Sequence, residues 1–228
     1  MADNSANNKR IAINTILLYI RMLFTMVISL YTSRVILQVL GADDFGIYNV
    51  VGGVVVLFSF LTNAMTSSTQ RFLNYNFGLK NESKVSHIFN VSILTHFTIF
   101  LLVLLLSETV GLWFVMTQLN IPVGRETATM WVYQMSVVTT LIGIMVIPYR
   151  ASIIAAERMS IFAYVSILEV ALKLVVVLVL SYMSFDNLVM YSILLTLVAL
   201  LNFFIYQIEC RRKLSFTKYH FVWDKSQY

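Results

Sequence analysis

The sequence predicts an all-α, polytopic membrane protein, and three observations carry that prediction. Of 228 residues, 59% are hydrophobic and only 12% charged, against about 25% charged residues in a soluble domain. The apolar residues spread over nearly the whole chain, in six runs of roughly 20, the length that crosses ~30 Å of hydrocarbon at ~1.5 Å per residue. The basic residues are segregated. With the N-terminus inside, twelve Lys and Arg fall in inner segments and two, Arg34 and Arg125, in outer ones. By the positive-inside rule this predicts six spans with both termini cytoplasmic. The excess of Lys and Arg over Asp and Glu, 16 against 11, would point to nucleic acid in a soluble chain. Here the basic residues end apolar runs, so topology explains them and no nucleic-acid partner is expected. Cys210 is the single cysteine, which excludes an internal disulfide.

The elements follow in order. Residues 1–10 form a cytoplasmic N-terminal tail, with 1–8 expected to be disordered. Lys9 and Arg10 before an apolar run resemble the start of a signal peptide. The run is too long for an h-region and lacks a small-residue cleavage site, so it reads as an uncleaved first span, 11–33. Gly41 permits the left-handed turn that ends a helix, and Asp43 or Asp44 caps the next. Span two is 45–67, with Gly52 and Gly53 early. Ser59, Thr62, Asn63, Thr66 and Gln70 follow at helical spacing, small and polar enough for close helix contact. Residues 71–87 read as the most polar internal loop. Span three is 88–106, with Thr95 and His96 inside it and Glu108 and Trp113 at the following interface. Asn120-Ile121-Pro122 breaks the chain. Span four is 128–147, closed by Pro148, because the residue before proline is pushed out of helical geometry. A short polar connection carries Arg150, Glu157 and Arg158. Span five is 161–182 and span six 188–208, joined by a turn at 184–187. The six-helix lobe thus covers 11–210, and 211–228 is a basic cytoplasmic tail containing Arg211, Arg212, Lys213, Tyr219, Phe221 and Trp223.

Charges inside the spans are the candidate functional residues. Arg21 lies near the middle of the first span. Asn14, Thr25, Ser29 and Thr32 return to within a quarter turn of it, so the five form one polar stripe. A lone Arg facing lipid costs a few kcal/mol on insertion scales, so the stripe is expected to face protein or a water-filled cavity. Asn14, Arg21 and Thr25 are therefore cavity candidates. Arg71, ending span two, is a fourth: it meets an anionic headgroup or substrate, or serves as an ordinary positive-inside anchor. Glu169 and Lys173 are four apart in the order that favours a helix ion pair. They mark either a coupling pathway or a self-neutralised structural pair. His96 is either a proton-exchanging group or a hydrogen-bonded packing residue. Arg34 and Asp43 are expected to fix the outer hairpin. No phosphate-binding Gly-x4-Gly-Lys-[Ser/Thr] sequence, no His or Cys cluster at metal-ligand spacing and no Gly-x-Ser-x-Gly elbow occurs. No cofactor, metal or enzymatic activity is therefore expected.

Two runs carry a resemblance. Ser33-Arg34-Val35-Ile36-Leu37-Gln38-Val39-Leu40-Gly41-Ala42-Asp43-Asp44-Phe45-Gly46-Ile47-Tyr48-Asn49 resembles the hairpin between the first two helices of bacterial polysaccharide flippases. Pro148-Tyr149-Arg150-Ala151-Ser152-Ile153-Ile154-Ala155-Ala156-Glu157-Arg158-Met159 resembles their connection between helices four and five. These are the O-antigen and capsule exporters related to multidrug and toxin extrusion proteins, and the resemblance covers essentially the whole chain. It implies one lobe of a MATE-like exporter fold in the bacterial inner membrane. It also implies transport of an undecaprenyl-diphosphate-linked oligosaccharide to the outer leaflet for polysaccharide or lipopolysaccharide synthesis. Arg21 then attracts the diphosphate, since Arg matches phosphate geometry. Family members have twelve or more spans, so the chain is expected to be a truncated or half-size member that needs a second lobe or a homodimer partner. Three other readings stand beside it: a drug extruder of the same superfamily, a glycan-assembly enzyme and a non-transporting scaffold. The extruder should place carboxylates where Arg21 stands, and the enzyme should carry a large outer loop.

Overall fold

The computed structural model describes residues 2–57, 60–79 and 82–217, with side chains described at 12–57, 65–79, 83–214 and 216–217. Every regular element among the described residues is helical: α1 (Ala2–Leu57), α2 (Phe60–Gly78), α3 (Glu82–Leu106), a π-helical turn (Ser107–Gly111), α4 (Leu112–Gln118), α5 (Glu126–Ala155), α6 (Met159–Leu180), α7 (Asn187–Lys213) and a 3-10 turn (Ser215–Thr217). Five of these stretches are long and apolar enough to cross a membrane, and α1 is one of them. In such helices every backbone group is satisfied within the segment, which is what a hydrocarbon surrounding demands.

Gly41 splits α1 into two arms. Its φ of 77° and ψ of 174° lie outside helical space, in a region open essentially to glycine alone. The arms run in opposite directions. Ile36 packs beside Leu180 at the end of α6, while Arg21 sits beside Phe162 near its beginning. Beyond the bend, Tyr48 meets Tyr191 (ring centroids 4.8 Å apart) in the second turn of α7. The expected hairpin is therefore present at the expected glycine.

α5 is the axis of the bundle. It packs most extensively on α7 and also touches α1, α2, α3 and α6. Between helices surrounded by lipid there is no hydrophobic drive to associate, so close packing and interhelical hydrogen bonds hold them. Thr139 and Thr196 share a 2.9 Å hydroxyl contact between α5 and α7. The Cys210 thiol of α7 donates to the Tyr149 carbonyl of α5 at 3.3 Å. Tyr133 donates to the Ser107 carbonyl in the π turn. Such bonds in a membrane protein average about 0.6 kcal/mol and reach about 1.7 at most.

Several boundaries differ from expectation. Residues 71–78 are helical, so the polar connection shrinks to the few residues between Gly78 and Glu82. Lys80 lies outside the described residues. Span three continues through the π turn to Gln118. Pro148 does not end α5, which runs on to Ala155. Proline removes the donor that would pair the carbonyl four residues earlier, that of Ile144, a loss that a helix packed among neighbours tolerates. The helix stops instead at a Schellman turn. Glu157 adopts φ 55°, and Arg158 and Glu157 donate back to Ile153 and Ile154. α7 likewise passes 210 and ends at Lys213. Beyond it Phe216 folds back onto Phe77 and Phe89 (centroids 5.1 and 6.2 Å), so the start of the basic tail belongs to the bundle. Tyr219, Phe221, Trp223 and Ser59 lie outside the described residues. The backbone from Ala2 is helical rather than disordered.

Candidate functional site

The first arm of α1 supplies the site's first residue. Its half-buried positions recur at helical spacing, and Asn14, Arg21, Thr25 and Thr32 are all among them, whereas Ser29 is exposed. The polar stripe therefore lies on the side that packs on α6, and the apolar side chains Met22, Phe24 and Met26 point outward. The expectation that the stripe faces protein holds for four of its five members.

Arg21 and the pair Glu169 and Lys173 meet in one cavity of ≈ 330 Å³ between α1, α5, α6 and α7. The Arg21 guanidinium lies 4.5 Å from the centre of the Phe162 ring, and its Nη1 reaches the Ser166 hydroxyl at 3.5 Å. Its Nε is buried without a hydrogen-bond partner. Lys173 donates to Glu169 Oε1 at 2.6 Å, and Asn202 of α7 donates to Glu169 Oε2, also at 2.6 Å. Both carboxylate oxygens are thus engaged, and the lysine charge is met locally.

The cavity contains residues that sequence reasoning placed elsewhere or passed over. Arg150 lines it, because α5 continues through Pro148. Thr139, Gly143, Val146 and Arg150 then fall on one helical face, at offsets of four, seven and eleven residues. Asn202 and Tyr206, at i and i+4 on α7, complete the wall. In all, three basic side chains face one carboxylate.

The arm runs on to Gly41, so Arg21 lies roughly 30 Å of helix from the bend, beside the first turns of α6. Arg150 sits near the same end, close to the last turn of α5. Glu169 and Lys173 lie deeper, in the second and third thirds of α6.

The remaining candidates do not enter the cavity. Thr25 donates to its own Met22 carbonyl at 3.0 Å, and Asn14 is half-buried on the arm below Arg21. Neither lines the cavity. Arg71 is exposed on α2 and stands apart from it. His96 is fully buried in α3, with Nδ1 held by the Ser92 carbonyl at 2.7 Å and Nε2 without a partner among the described residues. At the opposite end of the bundle Arg125 binds both Asp44 and Asp186, its Nε reaching Asp44 at 2.8 Å. These contacts, the Asp44 hydrogen bond first, raise the Arg125 pKa. The hairpin is thus fastened through Asp44 and Arg125. Comparison of the chain with protein-family models, with curated proteins and with solved structures finds no match.

Proposed function

We propose that this chain is one lobe of a transporter that moves a lipid-linked, phosphate-bearing oligosaccharide across the bacterial inner membrane. The observation that carries the reading is the cavity: three basic side chains against one carboxylate, between helices long enough to span a bilayer. A buried excess of positive charge is costly in lipid unless an anion visits it. A diphosphate between a polyprenyl tail and a sugar is such an anion. The orientation follows from the basic residues. Arg150, Arg158, Arg211, Arg212 and Lys213 cluster at the end where α5 and α7 finish, whereas Arg34 and Arg125 lie towards the other. The first end is cytoplasmic in this reading, so Arg21 and Arg150 meet the headgroup where the substrate is made. The opposing wall is supplied by a second six-helix lobe or a second copy, as alternating access commonly requires. A drug extruder of the same superfamily fits less well, since a cation would find Glu169 already bound by Lys173 and Asn202.

The test is complementation of a strain lacking its polysaccharide flippase. Surface polysaccharide restored by this chain, alone or with a co-expressed second lobe, supports the reading. No restoration by either, with the chain present in the membrane fraction, overturns it.

A further inference from the structure

We propose that a second, smaller cavity, beyond Tyr48 from the first, is a binding site for one uncharged sugar ring. This deepens the transport reading and rests on it only for what the site selects during transport; the sugar chemistry rests on the cavity.

The cavity, of ≈ 130 Å³, lies between the second arm of α1, α5 and α7, and Tyr48, Thr139 and Leu195 form the wall it shares with the first. Along α5 it spans 135–140, where the first spans 139–150, so it is displaced towards the Arg125 end. Its volume is about four waters' share of liquid and falls below the ~300–1,000 Å³ of a whole ligand site, so it takes a single ring at most. Hydroxyls inside helices commonly donate to the carbonyl four residues back, as those of Thr95, Thr98, Ser152 and Thr196 do here. In the cavity wall Ser192 and Thr139 are likewise spent, on the Val189 carbonyl at 2.7 Å and the Thr196 hydroxyl at 2.9 Å. Ser136 and Thr140, one turn apart on α5, are not. Neither hydroxyl has a hydrogen-bond partner among the described residues, and nor has that of Tyr48. Three uncommitted hydroxyls thus line one small cavity in an apolar bundle, where polar groups left unpaired are costly. Gly52 lines it too, and a Cβ there would meet nothing within 4 Å, so the missing side chain keeps the space open. Each hydroxyl donates and accepts, which suits a ring edged with groups that do the same. The Tyr48 ring offers an aromatic surface to the C–H groups of such a ring. No Lys, Arg, Asp or Glu lines the cavity, so a sugar acid would lose its hydration there without a counter-charge.

The experiment uses the full chain in phosphatidylcholine nanodiscs and measures Kd by saturation-transfer NMR for four probes: the methyl β-glycosides of glucose, galactose, N-acetylglucosamine and glucuronic acid. At least one neutral glycoside is expected to bind, and the glucuronide about tenfold more weakly or not at all. S136A/T140V should weaken the neutral glycoside by about fivefold or more, as loss of two hydrogen bonds does. G52L fills the space and should abolish binding. T25V, outside both cavities, should leave Kd within about twofold. No binding of any neutral glycoside, wild-type affinity in S136A/T140V, a glucuronide bound as tightly as the neutral sugars, or a loss in T25V as large as in S136A/T140V overturns the proposal. If G52L is recovered aggregated, the nearly isosteric S136A/T140V decides alone. A farnesyl phosphate ester of the best-bound sugar distinguishes the sources. Tighter binding than the methyl glycoside identifies the sugar of a lipid-linked ligand, and equal affinity identifies a free sugar; both support the site. Failure of the two readings is separable. Complementation with unaltered glycoside affinity in S136A/T140V defeats the sugar site alone. Glycoside binding that follows the variants without any complementation defeats the transport reading alone.

Discussion

Arg125 and Arg21 stand towards opposite ends of one bundle, and their surroundings differ in kind. Arg125 is gripped by two carboxylates from two other elements, Asp44 of the α1 hairpin and Asp186 at the start of α7. Arg21 touches an aromatic face and one hydroxyl, and keeps a buried donor unused. The same side chain is saturated in one place and unsaturated in the other. A saturated guanidinium fastens helices. An unsaturated one leaves a buried donor that the described residues do not pair.

This contrast can be broken at either end, and the largest effect is expected at Arg21. R21A should abolish complementation at normal expression, and R21K should be intermediate if charge alone matters; surface polysaccharide staining reads both. Next is the bend. Gly41→Ala meets no neighbouring atom, so its cost is backbone strain alone. About 1–3 kcal/mol is expected, read as a lower thermal midpoint of the detergent-solubilised protein. R125M should cost less, about 1 kcal/mol or below, because its side chain and that of Asp186 are 29% and 37% exposed and water screens such pairs. A raised guanidinium pKa adds stability at every pH below its ordinary value and loses it only in strong alkali. The clasp's arginine is therefore insensitive to pH near neutrality, and substitution is the practical probe. The smallest effect belongs to Thr25→Val. That hydroxyl serves only its own helix, and complementation should be indistinguishable from wild type. A loss there comparable to R21A would extend the site along the stripe and defeat the contrast.

Charge inside apolar runs was the most legible feature. Arg21, Glu169 and Lys173 were visible because ionic groups in such runs have few bland explanations, and all three reach the cavity. The hairpin was visible because an isolated glycine followed by two aspartates has a narrow conformational meaning. Arg150 is hard to place from the sequence for one reason. Pro148 reads as a stop, yet a proline in a packed helix loses one donor and continues. Asn202 and Tyr206 carried no signal, being uncharged residues in an apolar run whose importance comes only from the helix across from them. Asn14 and Thr25 show the reverse limit. Helical periodicity gives a face and not a depth, and the cavity occupies only part of the face. The polar stretch 71–78 shows that composition alone does not distinguish a loop from a helix exposed at the end of a bundle.

The contact between Arg21 and Ser166 has a consequence for how the protein is made. The two partners are 145 residues apart in the chain, and the first arm leans chiefly on α6. During synthesis at ~5–20 residues per second, Arg21 leaves the ribosome roughly 7–30 seconds before the helix that shelters it. For that interval the first arm is a nascent segment with an unsheltered cation, whose long aliphatic stem lets the guanidinium reach towards water. The guanidinium thus gains its aromatic and hydroxyl partners only once α6 has been made.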